Sequence, residues 1–171
     1  ELHIHERELL SQAVDLDEES RMKAVLVVES WIEEKKMADI EEDWGVQPGD
    51  LRSRVELMEW LLFSMMRILY EDEKIRDRNG NSHKILYELI NELHQRVRFG
   101  CKSDILSLVR VKGIGRVRAR ELERTLGIIN ADDIVELTER DRQKLADLRG
   151  WSIKLVEKLI KSAKKTSKRR N

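Results

Sequence analysis

An all-α fold is predicted for this chain by three observations. Apolar residues recur at helical spacing almost everywhere, and no stretch alternates convincingly as a strand does. One proline interrupts 171 residues, and aromatic residues make up 5% of the chain, a composition that favours helices over sheets. The length leaves room for one or two small domains. An apolar share of 40% is sufficient for a core, and 39% charged residues implies a well-solvated surface.

Taken in order, a first helix is expected over about 6–14. Asp15 and Asp17 then cap a long second helix, whose core face carries Met22, Val25, Leu26, Trp31 and Ile32. Asp17-Glu18-Glu19 reads as acidic stabilisation of that helix N-terminus. A short helix over 37–44 is ended by Gly45. Gln47-Pro48-Gly49 makes a tight turn, and Asp50 caps a third long helix running to about residue 72. Its apolar stripe is Leu51, Val55, Met58, Leu62, Met65 and Leu69. Residues 77–81 form a loop, and Ser82 caps a helix that runs to Gly100. Ser103-Asp104 caps a new helix just beyond.

The boundary placed at Gly100 coincides with a change of charge. Residues 1–100 carry 14 Lys and Arg against 23 Asp and Glu, a balance of −9; residues 101–171 carry 19 against 10, a balance of +9. A helical bundle over 1–100 followed by a basic module over 101–171 is the expected organisation, and the basic half suits a polyanion. The second half is expected to retain most of any such affinity by itself. Cys101 stands alone, which excludes an internal disulfide and fits a reducing compartment. No apolar run approaches the ~18 residues of a membrane span, and no signal peptide is visible. Glu1 in place of a starting Met reads as a piece cut from a longer protein.

The basic half contains a weak repeat. Leu108-Val109-Arg110-Val111-Lys112-Gly113-Ile114-Gly115 is echoed by Leu145-Ala146-Asp147-Leu148-Arg149-Gly150-Trp151-Ser152. Each is a helix end, a glycine turn and the start of another amphipathic helix. A short helix over 132–137 joins them, and Thr138 with Asp141 makes a capping box. Asn130 and Asp133 read as caps as well. Lys161, Lys164, Lys165, Lys168, Arg169 and Arg170 end the chain as a basic tail expected to fray.

Two glycine turns of this kind read as a tandem helix-hairpin-helix. A helix starting just after Gly115 points unpaired N–H groups and its positive dipole end at whatever docks there. Phosphate suits such a site, and affinity of this kind is sequence-independent. The candidate contacts are Lys112, Gly113, Ile114, Gly115, Arg116 and Arg118 in the first hairpin, with Arg120 adding charge, and Gly150, Ser152 and Lys154 in the second. Trp151 reads as a plug between hairpin helices rather than a base-stacking platform, because Ile114 at the matching position is apolar and does not stack.

On the third long helix Trp60 points away from the apolar stripe, in a face that holds Ser53, Glu56, Ser64 and Arg67 with Arg52 at its edge. Two readings stand. Trp60 stacks on an unpaired base while arginine meets the backbone, or it packs on a second layer formed by the helix carrying Ile85, Leu89 and Leu93.

Trp31-Ile32-Glu33-Glu34, Ile40-Glu41-Glu42-Asp43-Trp44-Gly45-Val46-Gln47-Pro48-Gly49-Asp50-Leu51-Arg52 and Val55-Glu56-Leu57-Met58-Glu59-Trp60-Leu61 together resemble the C-terminal region of archaeal superfamily 2 DNA repair helicases of the Hel type, within the Ski-two-like group. The resemblance extends through Lys112-Gly113-Ile114-Gly115 and covers most of the chain. It implies that residues 1–100 are most of a helical ratchet domain whose long helix lies along a single strand, with arginine and Trp60 touching bases. It implies that the remainder is a small hairpin domain that holds the exiting strand and restrains unwinding. A second arginine is common in the family about one turn before the tryptophan; here Ser53 stands between Arg52 and Arg54, which leaves the contact to either. The implied partners are single-stranded or forked DNA and the motor domains of the same parent chain. The implied location is cytoplasmic, with the nucleoid. ATP and Mg would belong to the motor, and the hairpin at 111–115 is of a kind that can hold a monovalent cation through backbone carbonyls.

Neither Gly-x-x-x-x-Gly-Lys-Ser/Thr nor Asp-Glu-x-His occurs, so this chain is not expected to hydrolyse ATP, and no catalytic or metal-binding residue is assigned. His3, His5, His83 and His94 form no ligand-like spacing with Cys101. Other readings are a stand-alone hairpin protein in repair or regulation, a helix-turn-helix regulator over 38–54, and a glycosylase using Asp132 or Asp133.

Overall fold

The computed structural model describes residues 16–71 and 82–167. The helix expected at 6–14, the cap at Asp15, the loop at 77–81, His3, His5 and the end of the basic tail lie outside the described residues, as do the side chains of Asp17, Ser82 and His83. All regular structure among the described residues is helical: α1 (Leu16–Ile32), α2 (Met37–Trp44), α3 (Pro48–Glu71), α4 (Ser82–Phe99), a 3-10 turn (Ser103–Ile105), α5 (Leu106–Val109), α6 (Arg116–Leu126), α7 (Ala131–Val135), α8 (Glu139–Ala146) and α9 (Ile153–Ser167). The chain divides into two compact units, the first ending at Cys101 and the second beginning at Lys102.

In the first unit α1 is the central element. It has two buried sides rather than one stripe. Leu26 and Val27 join Ile40, Trp44, Val46 and Leu51 in one cluster. Val28 and Ile32 join Leu62, Met66, Ile90 and Val97 in another. A helix enclosed on two sides buries more than half its circumference, so a search for one apolar face assigns it badly. Val25, expected inside, is exposed, while Val27 and Val28 are buried. Two tryptophans tie α1 to its neighbours. Trp31 Nε1 donates to the Val97 carbonyl at 2.8 Å, and Trp44 Nε1 donates to Ser30 Oγ at 3.1 Å.

α2 ends at Gly45 as its composition predicts, the glycine N–H returning to the Glu41 carbonyl. α3 begins earlier than expected. Pro48 is its first residue, and Gly49 and Asp50 lie inside the first turn. A proline suits that position because its missing N–H would have no intrahelical acceptor. Met66, not Met65, continues the buried stripe. Both methionines keep i+3/i+4 spacing to Leu62 and Leu69; Met66 is the one that packs with Val28, Ile32, Ile90 and Val97. Gly100 closes α4 at φ +62°, and a Cβ there would overlap the Trp31 indole. Only glycine meets both demands.

The second unit is built from five short helices. α9 packs against α7 and α8, and α6 packs against the 3-10 turn, α5 and α8. Ile105, Leu108, Val111, Leu122, Ile134, Leu145 and Val156 are fully buried. The expected Thr138–Asp141 capping box is present, and Asn130 and Asp133, expected as caps, close a second one. Asn130 Oδ1 accepts from the Asp132 and Asp133 N–H groups, and Thr138 Oγ1 accepts from the Asp141 N–H. Neither Lys102 nor Ile105 makes a side-chain cap, and Asp104 accepts two hydrogen bonds from Arg120 at 2.7 and 3.0 Å, a bidentate arginine–carboxylate pair.

Candidate nucleic-acid interface

The two glycine turns fold with one hydrogen-bond register. In the first, the Val111 N–H donates to the Leu108 carbonyl, that of Ile114 to Val111 and that of Ala119 to Gly115, at 2.9, 3.0 and 3.0 Å. In the second, Leu148 donates to Leu145, Trp151 to Leu148 and Val156 to Ser152, at 3.0, 3.1 and 3.0 Å. Every partner in the second set lies 37 positions beyond its counterpart, from 108 to 145, 111 to 148 and 114 to 151. Gly113 and Gly150 take the matching positions at φ +99° and +85°, a region L side chains resist. Both tips are therefore bare backbone, exposed at 113 and 150.

The matching apolar residues, Ile114 and Trp151, turn inward and are buried. Ile114 can meet a ligand only through its backbone. Trp151 fills the inside of its hairpin, and its Nε1 donates to Glu121 Oε2 on α6 at 2.7 Å. This agrees with the plug expected from sequence; the acceptor, distant in sequence, carried no local signal. The hairpins differ at the following helix start. Gly115 is an extended N-cap with no side-chain bond, leaving the first N–H groups of α6 without a side-chain cap. At the second tip Ser152 Oγ accepts from the Leu155 N–H at 3.3 Å.

The arginines of α6 do not all face outward. Arg118 Nη1 donates to the Gly113 carbonyl at 3.0 Å and so braces the tip from within. Arg120 is held by Asp104 and Glu123. Its guanidinium keeps the Asp104 carboxyl below the usual carboxylate range. Lys112 and Lys154 are exposed and Arg116 is half-buried.

On α3 Trp60 is 62% exposed, so it does not pack beneath a second layer; Ile85 and Leu89, its expected cover, are exposed too. Arg52, Ser53 and Arg67 share the exposed side of α3. Arg52 pairs with Glu56 at 2.9 Å, both largely exposed, and Ser53 Oγ donates to the Gly49 carbonyl at 3.1 Å. Arg54 is half-buried. On the adjoining edge His94, buried on α4, lies 3.8 Å from Glu59 and near the Phe63 ring.

Two of the other sequence readings meet obstacles here. Asp133 Oδ2 accepts the Asn130 and Ile129 N–H groups and is used as a cap, which does not suit a glycosylase base. The helix after 45–47 buries Leu51, Leu62 and Met66 and is a bundle member, not a helix free to enter a groove. No helix of the described residues is long and apolar enough to cross a membrane, and no cluster of metal-ligating side chains occurs among them.

A helical first unit, with four helices among its described residues, and two hairpins in one register define a helical module with a tandem helix-hairpin-helix. Comparison with known proteins agrees. Residues 2–100 match the family model for archaeal helicase, domain 4, and residues 105–165 match a SAM-like helix-hairpin-helix tandem. The chain belongs to the archaeal helicase domain 4 family, and corresponds to the C-terminal region of Hel308-type helicases. Similar proteins include the ATP-dependent DNA helicase Hel308 of Thermoplasma volcanium, 32% identical over 83% of this chain and 19% of the relative. That of Thermococcus kodakarensis is 31% identical over 80% of this chain and 11% of the relative. The chain thus spans less than a fifth of the length of these relatives.

Proposed function

We propose that this chain is the strand-holding region of an ATP-dependent DNA helicase, with the hairpin unit gripping the DNA backbone and α3 presenting Trp60 to unpaired bases. The observation that carries it is the shared register of the two hairpins, which sets two glycine tips of bare backbone among basic side chains. Such a surface meets phosphates and ignores base identity. Lys112 and Arg116 flank the uncapped start of α6, and Lys154 flanks the second tip. The large exposed indole of Trp60, with Glu56 and Ser64 on one side and exposed Leu57, Leu61 and Phe63 around it, supports stacking on a base. The Arg52–Glu56 pair is a surface contact worth about 0–1 kcal/mol, so it yields easily to a phosphate. The motor domains of the parent helicase are the partner, and ATP and Mg act there; single-stranded or forked DNA is the preferred ligand.

Fluorescence anisotropy of the whole chain with single-stranded, duplex and forked DNA across a salt series tests this. Lys112→Gln with Arg116→Gln is expected to reduce the single-strand salt slope by about 0.7 per lost contact, equally for all sequences. Trp60→Ala is expected to weaken single-strand binding by about 1–3 kcal/mol and leave duplex binding unchanged. An unaltered slope for the first variant overturns the hairpin grip. Equal effects of the second on both DNA forms overturn stacking.

A further inference from the structure

Three arginines of the second unit are engaged with the unit itself, and the lysines of its last helix are not. Arg118 and Arg142 donate to backbone carbonyls, Arg120 is held by two carboxylates, and Lys144 Nζ donates to the Thr125 carbonyl. By contrast, Lys154, Lys158, Lys161 and Lys165 on α9 are all exposed and none pairs with a carboxylate among the described residues. At 100° per residue the four lie within about 60° of arc. That arc is diametrically opposite Val156, Leu159, Ile160 and Ala163, the buried side of the helix. Lys164 flanks the row, and Glu157 is the sole acidic residue of α9.

Helix stability does not explain this row. Like charges three and four positions apart repel and weaken an isolated helix. Lys154 moreover sits in the first turn, where the dipole disfavours a cation. The row begins two residues after Ser152 at the second hairpin tip and spans twelve residues, a rise of about 16 Å. That is the axial length of about five stacked nucleotides at ~3.4 Å each. Lysines are point charges on flexible stems, suited to following a backbone without fixing its geometry.

We infer that α9 is a phosphate track: a DNA strand held at the second hairpin continues along Lys154, Lys158, Lys161 and Lys165, which lengthens the footprint by about five nucleotides without adding sequence preference. The inference rests on the reading that the hairpins hold DNA. Lysine supplies charge along the row while the hairpin tip supplies the anchor, so the two contributions separate by oligonucleotide length.

The test uses the whole chain, oligothymidylates of increasing length, and two variants whose helicity is checked by circular dichroism. Lys158→Gln with Lys161→Gln and Lys165→Gln removes the track but leaves both tips. It is expected to lower the salt slope by about 2, to weaken binding to long oligomers up to about a hundredfold at 0.1 M salt, and to shorten the saturating length by about five nucleotides. The hairpin variant, Lys112→Gln with Arg116→Gln, is expected to weaken binding at every length and to leave the saturating length unchanged. If the triple variant keeps the full saturating length, the track is wrong, and a loss in the hairpin variant leaves the hairpin grip intact. If neither variant weakens binding, both readings fail.

Discussion

Trp151 offers the sharpest separation between a structural and a ligand-binding role at the interface. Replacing it with Leu keeps an apolar side chain while removing both the π face and the indole donor. The lost bond is the 2.7 Å contact with the Glu121 carboxylate, partly buried. A hydrogen bond to a charged group contributes about 1.5–3 kcal/mol. Trp151 is only 9% exposed, so the volume lost on going to Leu leaves space that costs about 1–2 kcal/mol more. The hairpin unit is therefore expected to lose about 3–4 kcal/mol, read by urea unfolding followed by far-ultraviolet circular dichroism. Glu121→Ala is expected to couple to this change, because either substitution already breaks the shared bond. Single-strand affinity, measured well below the melting temperature, is expected to shift by less than about 0.5 kcal/mol, since the ring faces inward. Base stacking predicts the opposite pattern, a loss of about 1–3 kcal/mol in binding. A fivefold or greater loss of affinity in a variant that unfolds like the parent refutes the plug.

Two further outcomes follow from the first unit. Burial lowers the His94 pKa below 6.5, against the opposing pull of Glu59 and with help from Arg98. Below that pH the unfolded chain binds a proton that the folded chain resists, so stability is full above about pH 6.5 and declines as pH falls below it. Chemical unfolding at stepped pH is expected to show this slope in the parent and a flatter one in His94→Gln; equal slopes refute it. Gly100→Ala combines a positive φ, worth about 1–2 kcal/mol, with overlap on Trp31 that endangers its bond to Val97. A loss of about 3 kcal/mol or more is expected by urea unfolding, and a loss under about 1 kcal/mol means the indole has room to move.

The features legible in the sequence were those that neighbouring residues decide. Asn130 with Asp133 and Thr138 with Asp141 close their capping boxes across three positions, and both formed. The repeat at 108–115 and 145–152 carried its hydrogen-bond register with it, because a glycine turn between apolar helix ends leaves few alternatives. What escaped the sequence needed a third element. Asp104 stands at a helix start in the sequence and pairs with Arg120 in the fold, and Arg118, expected as a phosphate contact, also reaches the Gly113 carbonyl. Val25 and Val27 exchange places in the core because α1 is enclosed on two sides. Met65 and Met66 stand at equivalent spacing from Leu62 and Leu69, and only packing with Val28, Ile32, Ile90 and Val97 decides between them.

Gly100 is pinned beneath Trp31 and the 3-10 turn opens at Ser103, so only Cys101 and Lys102 lie between them along the chain. A link that short acts as concentration: under the proposed function, a strand held by one unit would meet the other at an effective concentration on the order of millimolar rather than at the bulk value, and the two contributions would combine as avidity.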